Sequence, residues 1–351
     1  MNIVEPTDIQ KKVIPVLLAE STDIVAQAQT GTGKTAAYGL PLLEKMDAQN
    51  KSVQGLILCP TRELAQQVAK QLFKFTKYSD KIFTEAVYGG EKIDRQLTAL
   101  QRPTQIIVAT PGRLIDLLER KAVNLESVHT VVLDEADEML SMGFKTQLDE
   151  ILRSLRNVEN KWLFSATIPK GIQEIISTHL SEDAERITVS RGNIVNTKIT
   201  HEYVVCNESD KLNALLQFLK SQHKNRGVIF CRTKAATQKL AKQLIARNIA
   251  TDAIHGDLLQ KERDKVMRAF KNETLRVLVA TDVAARGIDI SGLSFVAHYQ
   301  LPESDEYYTH RSGRTARAGK EGVSMCFVDT SEIKTLRNYE RTLGLKFRQV
   351  K

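Results

Sequence analysis

Short, uninterrupted apolar runs alternating with helical patterns constrain this chain more than any other feature. The runs fall at 55–59, 105–109, 130–133, 162–164, 228–231, 277–280 and 294–299. A strand that is apolar at every position, rather than at every second one, is covered on both faces. That is the condition of a parallel sheet with helices above and below it. The segments between carry the helical period: over 62–77, Leu64, Val68, Leu72 and Phe75 line one face. The expected fold class is α/β, with mostly parallel sheets flanked by helices.

A chain of 351 residues has room for two such domains, each able to bury its own core. The sequence also repeats itself faintly. LILCPTR at 56–62 is echoed by VIFCRTK at 228–234, and IVAT at 107–110 by LVAT at 278–281. The intervals agree to one residue, 49 from Thr61 to Thr110 and 48 from Thr233 to Thr281. Two copies of one α/β domain are expected, 1–189 and 199–351, joined by the polar stretch 190–198 with Gly192, Asn193 and Asn196.

The octapeptide AQTGTGKT at 28–35 follows the apolar pair Ile24 and Val25 and opens a helical pattern. It has the Walker A spacing, with Ala28 in place of the first glycine. Gly31 and Gly33 let the backbone turn its N–H groups toward phosphate, and the helix start adds a positive dipole end. Lys34 supplies a point charge for the β and γ phosphates, and Thr35 a hydroxyl for Mg²⁺. The acidic tetrad Asp134, Glu135, Ala136, Asp137 follows the run 130–133, at the end of a buried strand where such sheets bind ligands. Asp134 is placed to hold Mg²⁺ through water, in the hydrated manner of that ion, and Glu135 to orient and deprotonate the attacking water. In HRSGRTAR at 310–317, helical spacing puts His310, Arg314 and Arg317 on one face. Gly313, Ala316 and Ala318 keep the surroundings small enough for close approach to another surface. Arginines there could act as fingers on a γ-phosphate.

With these segments the chain resembles the DEAD-box family of superfamily 2 RNA helicases over nearly its whole length. The signature is literally Asp134-Glu135-Ala136-Asp137, and the other motifs stand in the family's order. PTDIQ at 6–10 looks like the Q motif, PTRELA at 60–65 like motif Ia, Gly89 and Gly90 like the GG element, and TPGR at 110–113 like motif Ib. SAT at 165–167 matches motif III. In the second half 228–233 looks like motif IV, QKER at 260–263 like the QxxR element, ATD at 280–282 through RGID at 286–289 like motif V, and 310–317 like motif VI.

The resemblance implies two tandem RecA-like domains and a set of roles. Thr7 and Gln10 would read adenine. Gln29, Thr30, Gly31, Thr32, Gly33, Lys34 and Thr35 would hold the phosphates, with Thr35 and Asp134 on Mg²⁺. Gly287 and Asp289 would take the ribose, and Arg314 and Arg317 the γ-phosphate. Ser165, Thr167, Asp137 and His310 would couple ATP to RNA. Pro60, Thr61, Arg62, Gly90, Thr110, Gly112 and Arg113 would hold RNA on the first domain, and Arg232, Gly256, Arg263 and Thr281 on the second. These groups address phosphate and sugar, so binding would be poor in sequence preference and favour RNA through its 2′-hydroxyls. The implied activity is RNA-stimulated ATP hydrolysis coupled to local opening of short duplexes or remodelling of RNA–protein complexes. An ATP-gated RNA clamp that unwinds little is the alternative. A translocating DNA helicase fits less well, since Asp137 and the Gln10 segment argue against it.

The net charge of +8 suits a polyanion partner. Basic residues are not interleaved with aromatics, so base stacking is not the expected binding mode. Cys59, Cys206, Cys231 and Cys326 are far apart and form no zinc pattern, which leaves them as reduced, mostly buried thiols. No membrane span or signal segment is evident, and a cytoplasmic monomer is expected. His298 and Gln300 stand where the family more often has Asn and Asp, and Ala316 where it has Gly. Trp162 is expected to pack in the core.

Overall fold

The structure, a computed structural model, describes residues 5–19, 21–29, 31–78, 81–189, 198–285, 293–316 and 321–350. The chain divides into two compact units, Met1–Ser190 and Arg191–Lys351. The first holds strands β1 (Ile24–Gln27), β2 (Gly55–Leu58), β3 (Thr84–Val87), β4 (Ile106–Ala109), β5 (Thr130–Asp134), β6 (Asn160–Ser165) and β7 (Glu185–Thr188). The second holds β8 (Ile199–Val205), β9 (Gly227–Phe230), β10 (Thr251–Ile254), β11 (Val277–Ala280), β12 (Phe295–His298), β13 (Gly322–Val328) and β14 (Arg348–Gln349).

Each unit is one parallel sheet. The order is β3-β4-β2-β5-β6-β1-β7 in the first and β10-β11-β9-β12-β13-β8-β14 in the second. Adding seven to every strand number of the first order produces the second. The repeat visible in two strands therefore extends to the whole topology of both units.

The continuous apolar runs are the buried strands β2, β4, β5, β9, β11 and β12. Successive side chains point to opposite faces, so each run feeds two cores. Ile57, Val108 and Val132 join one cluster with helix residues Val68 and Leu72. Leu56, Leu58, Ile107, Val131 and Leu133 join the other with Leu114, Leu117 and Leu148. Trp162 is fully buried, its indole N–H donating to Thr22 O at 3.1 Å.

The strands that made no apolar run have a common physical cause. The edge strands β3 and β10 carry Thr84, Glu85, Thr251 and Asp252, and in β7 only Ile187 is buried. In β13 and β8, the fifth and sixth strands of the second sheet, Ser324 and His201 are buried where both bond Tyr308, and Glu202 pairs with Arg348.

A parallel sheet aligns all its strand ends on one edge. In the first unit that edge brings together the loop after β1, Thr61 after β2, Thr110 after β4, Asp134 at the end of β5 and Ser165 at the end of β6. Thr61 and Thr233 occupy equivalent places and do equivalent work. Each accepts a backbone N–H three residues on, from Leu64 and Ala236, and caps the helix that follows.

Candidate nucleotide site and nucleic-acid interface

The loop 28–33 runs from β1 into the helix Lys34–Glu44. Gly31 and Gly33 have φ of 80° and 92°, left-handed backbone that a side chain resists. A Cβ on Gly33 would also lie 2.5 Å from Gln10 Nε2. That contact is purposeful: Gln10 Nε2 donates to Gly33 O at 3.1 Å, and Gln10 Oε1 accepts from the Thr7 N–H at 3.0 Å. Gln10 thus ties the first helix to the phosphate loop and keeps one N–H and one lone pair for a base edge. Thr32 Oγ1 donates to Gln29 O at 2.8 Å. Thr30 lies outside the described residues.

Lys34 is 6% exposed and Asp134 3%. Among the described residues, neither Lys34 Nζ nor Asp134 Oδ1 has a hydrogen-bond partner. Asp134 Oδ2 accepts from the buried Tyr38 hydroxyl at 2.8 Å. Burial pushes the Asp134 carboxyl up, with the Lys34 ammonium pulling it down. Burying a charge without partners costs several kcal/mol. A fold keeps such a pair where a ligand completes it. The donor set fits that ligand: an ammonium suits a phosphate, and a carboxylate oxygen beside Thr35 suits a hard divalent cation.

Glu135 follows with φ 52° and ψ 52°. A non-glycine residue in this region carries strain on the order of 1–3 kcal/mol and persists only where surrounding structure enforces it. Asp137 points the other way, into motif III. Its Oδ2 accepts from Thr167 N at 2.8 Å and Thr167 Oγ1 at 2.9 Å, while Ser165 Oγ accepts from Asp137 N at 3.2 Å. Ser165 O also accepts the Ala28 N–H at 3.0 Å. The tetrad, motif III and the phosphate loop are therefore one hydrogen-bonded unit.

On the same edge, Arg62 and Arg113 converge on the turn after β3. Arg62 Nη1 reaches Gly90 O at 3.5 Å, and Arg113 Nη2 donates to Glu91 O at 3.1 Å. Arg62 lies over the Tyr88 ring at 4.7 Å. Arg113 Nη1 is buried without a partner among the described residues, which suits an anion. Gly112 is open, with nothing near a Cβ, whereas Pro60 and Thr61 are buried and aim the helix rather than offer surface. Thr110 Oγ1 accepts from Gly89 N at 3.4 Å, holding the glycine turn beside motif Ib.

In the second unit Thr281 is buried at the end of β11 and accepts from Ala284 N at 3.4 Å. Arg263 donates to Ala284 O at 2.7 Å. Arg232 donates to Leu301 O at 2.6 Å and pairs with Glu332 at 3.3 Å. Gly256 is exposed beside Lys234. The ribose candidates Gly287 and Asp289, and Arg317, lie outside the described residues, as does most of the expected joint.

His310 and Arg314 do not share a helical face, and Arg317 lies outside the described residues. The helix is Asp305–Ser312, capped at Gly313, so Arg314 sits in the turn beyond it. Arg311 N-terminal to the cap is 2% exposed and fork-bonds Asp282 at 2.5 and 2.6 Å. On the other side, Thr315 Oγ1 donates to Leu293 O at 2.6 Å. Arg314 is held between these two anchors. Ala316 does not leave room for another surface either: it is buried in its own core at φ 55°. That backbone explains why glycine is common there. The strain of left-handed alanine, about 1–2 kcal/mol, is offset only in part by about 0.8 kcal/mol for its buried methyl.

Profiles of two families match the chain: DEAD/DEAH box helicase over residues 7–175 and the helicase conserved C-terminal domain over 210–319. The DEAD-box ATP-dependent RNA helicase CshA of Geobacillus kaustophilus is 44% identical over 100% of this chain and 74% of that protein. This chain belongs to the DEAD-box RNA helicase family. CshA of Bacillus cereus is 45% identical over 99% of the chain, which spans 65% of that relative's length. Dbp5 of S. cerevisiae, solved with RNA and ADP BeF3, matches with a TM-score of 0.90 at 31% identity, covering 99% of this chain and 90% of that one. The two parallel sheets are tandem RecA-like domains.

Several structural residues of this DEAD-box core escaped sequence reasoning. Tyr38 and Glu91 belong to no motif, and Asp282 and Arg311 stood inside motifs V and VI without a role; their partners are distant in the chain. His298 and Gln300 also acquire places. Gln300 accepts from the Arg232 and Arg311 groups through Oε1 and O at 2.8 Å each. His298 Nε2 bonds Ser324 Oγ at 3.0 Å and the ring stacks on Tyr308 at 4.7 Å. Tyr308 in turn bonds His201 and Ser324. Removing Asp282 (Asp282→Ala) strands the buried Arg311 cation, and denaturant unfolding should show a loss of about 3–5 kcal/mol.

The same network makes the second unit acid-sensitive. Burial lowers His201 to about 4, and burial with the Arg311 guanidinium pushes His298 well below the ordinary 6.5. The unfolded chain takes up both protons near pH 6.5, whereas the fold does not. Stability is therefore full above that value and falls as pH drops from about 6.5 toward 4, by on the order of 1.4 kcal/mol per unit for each histidine. Thermal melts between pH 7.5 and 5 measure it; a flat midpoint would contradict the assignment.

Proposed function

We propose that this chain hydrolyses ATP in response to RNA and uses the cycle to open short RNA duplexes locally or to remodel RNA–protein complexes. The reading is carried by one observation: the buried and oppositely charged Lys34 Nζ and Asp134 Oδ1, both without a hydrogen bond among the described residues, at the end of a Walker loop. Lys34 and the N–H groups of 29–35 bind the phosphates. Thr7 and Gln10 hold adenine, and Gly287 with Asp289 the ribose. Thr35 and Asp134 hold Mg²⁺, which when bound screens charge on the phosphate oxygens. Glu135 takes the proton of the attacking water. Arg314 and Arg317 stabilise charge at the γ-phosphate once the units close on the nucleotide.

RNA is held by Arg62, Gly90, Thr110, Gly112 and Arg113 with Arg232, Gly256, Arg263 and Thr281. The Asp137, Ser165 and Thr167 cluster, with His310, passes occupancy from one ligand to the other. Free thiols support a reducing, cytoplasmic setting. Each ligand should tighten the other reciprocally, on the order of 5- to 150-fold. Nucleotide titrations with and without single-stranded RNA, together with ATP turnover, test this. Equal affinity and equal turnover in both would refute it, and equal stimulation by matched DNA would turn the reading toward a DNA-directed motor.

A further inference from the structure

Helix Arg62–Phe75 starts at the RNA-facing edge and runs away from it for about 20 Å. Its far end and the segment after it form a second surface of different chemistry. Phe73 is 74% exposed, Tyr78 89% and Phe83 52%. Lys70, Lys74, Lys77 and Lys81 are exposed among them, against a single acid, Asp80, in the whole of 70–83. Lys77 Nζ lies 5.0 Å from the centre of the Tyr78 ring. The expectation that basic residues and aromatics are not interleaved fails here. Phe73 and Tyr78, largely in water, contribute little to folding, and lysines at this density disfavour apolar partners while attracting phosphate.

We propose that this patch is an accessory binding site for single-stranded RNA, with Phe73 and Tyr78 as stacking platforms and Lys74 and Lys77 on phosphates. It extends the track that begins at Arg62, and it rests on the RNA-binding reading above. Stacking tolerates any base, since every base has a flat face, and lysines address only the backbone. The site therefore lengthens the bound tract without adding sequence preference. It is remote from the Walker loop, so its loss leaves hydrolysis driven by short RNA intact.

The test compares a hexanucleotide, sized for the core site, with a twenty-nucleotide single strand. The double variant Phe73→Ala, Tyr78→Ala removes exposed rings, so folding is spared. Its affinity for the longer strand should fall on the order of ten-fold, with hexanucleotide affinity and stimulated turnover unchanged. Lys74→Gln with Lys77→Gln should flatten the salt dependence for the longer strand by about 1.4 in log–log slope. Tyr78→Trp retains a platform, and its emission should be quenched by the long strand but not the short one. The buried Trp162 gives a constant background. Unchanged affinity in the double variant, or no quenching of the new indole, overturns the patch and leaves the rings to a protein partner. If the unaltered chain binds neither oligonucleotide, the RNA reading itself falls and takes the patch with it.

Discussion

Glu135→Gln should bind ATP as the unaltered chain does and turn it over on the order of 10²- to 10⁴-fold more slowly, the range expected for loss of a general base. The amide keeps the size and hydrogen-bonding reach of the carboxylate and removes only its basicity. The backbone makes the prediction sharper. Glu135 sits at φ 52° directly after β5, a strained conformation imposed by the neighbouring, fully bonded Asp137. Strain of this kind persists only where the surrounding structure enforces it and clusters at functional sites. Asp134 is bonded to Tyr38 and Asp137 to Thr167 of motif III, which leaves Glu135 as the carboxylate of the tetrad proposed for the proton transfer. On the proposed cycle, in which hydrolysis ends the RNA-bound state, this variant should also retain RNA longer in the presence of ATP. Single-turnover hydrolysis and RNA dissociation measure the two effects. Normal turnover would remove Glu135 from the chemistry. Glu135→Gly is the companion experiment: it relieves the backbone, so a gain in stability with loss of turnover separates strain from basicity.

If Arg314 is the proposed finger, Arg314→Ala should lower kcat on the order of 10³- to 10⁵-fold, the range known for arginine fingers, while ATP affinity changes far less. The two anchors around it make this a test of chemistry rather than folding. Arg311 keeps its bidentate pair with Asp282, and Thr315 its bond to Leu293, whatever residue stands at 314. Arg314→Lys should rescue little, since a point charge does not reproduce the planar fork. The contrast with Arg311 is diagnostic. Arg311→Ala should unfold the second unit at lower denaturant, whereas Arg314→Ala should melt where the unaltered chain does. If Arg314→Ala keeps its kcat, the proposed role of Arg314 at the γ-phosphate is wrong, even with both folds intact.

Much of this protein was legible before its structure. The central strands were readable because burial on both faces leaves no position free to be polar, as in β2, β4 and β11. The phosphate loop was readable because few sequences other than glycine at 31 and 33 can make that turn. Edge strands were not: β3, β7 and β10 have one open face or none buried, and their polar residues look like loop. The terminus of the helix at Ser312 was missed because HRSGRTAR has helical spacing throughout, and the stop comes from Thr315 pairing with Leu293, 22 residues away.

Local chemistry, then, was determined by sequence alone: the Walker turn, the acidic tetrad at a strand end, and the duplication of one α/β unit. These depend on residues within a few positions of one another or on a pattern that burial writes into every strand. Tertiary structure alone decided the pairings that make a site of them. Gln10 closes on Gly33 across 23 residues, Arg311 on Asp282 across 29, and Tyr38 on Asp134 across 96. Such bonds depend on where the sheet order puts two strand ends, and no periodicity along the chain records that distance.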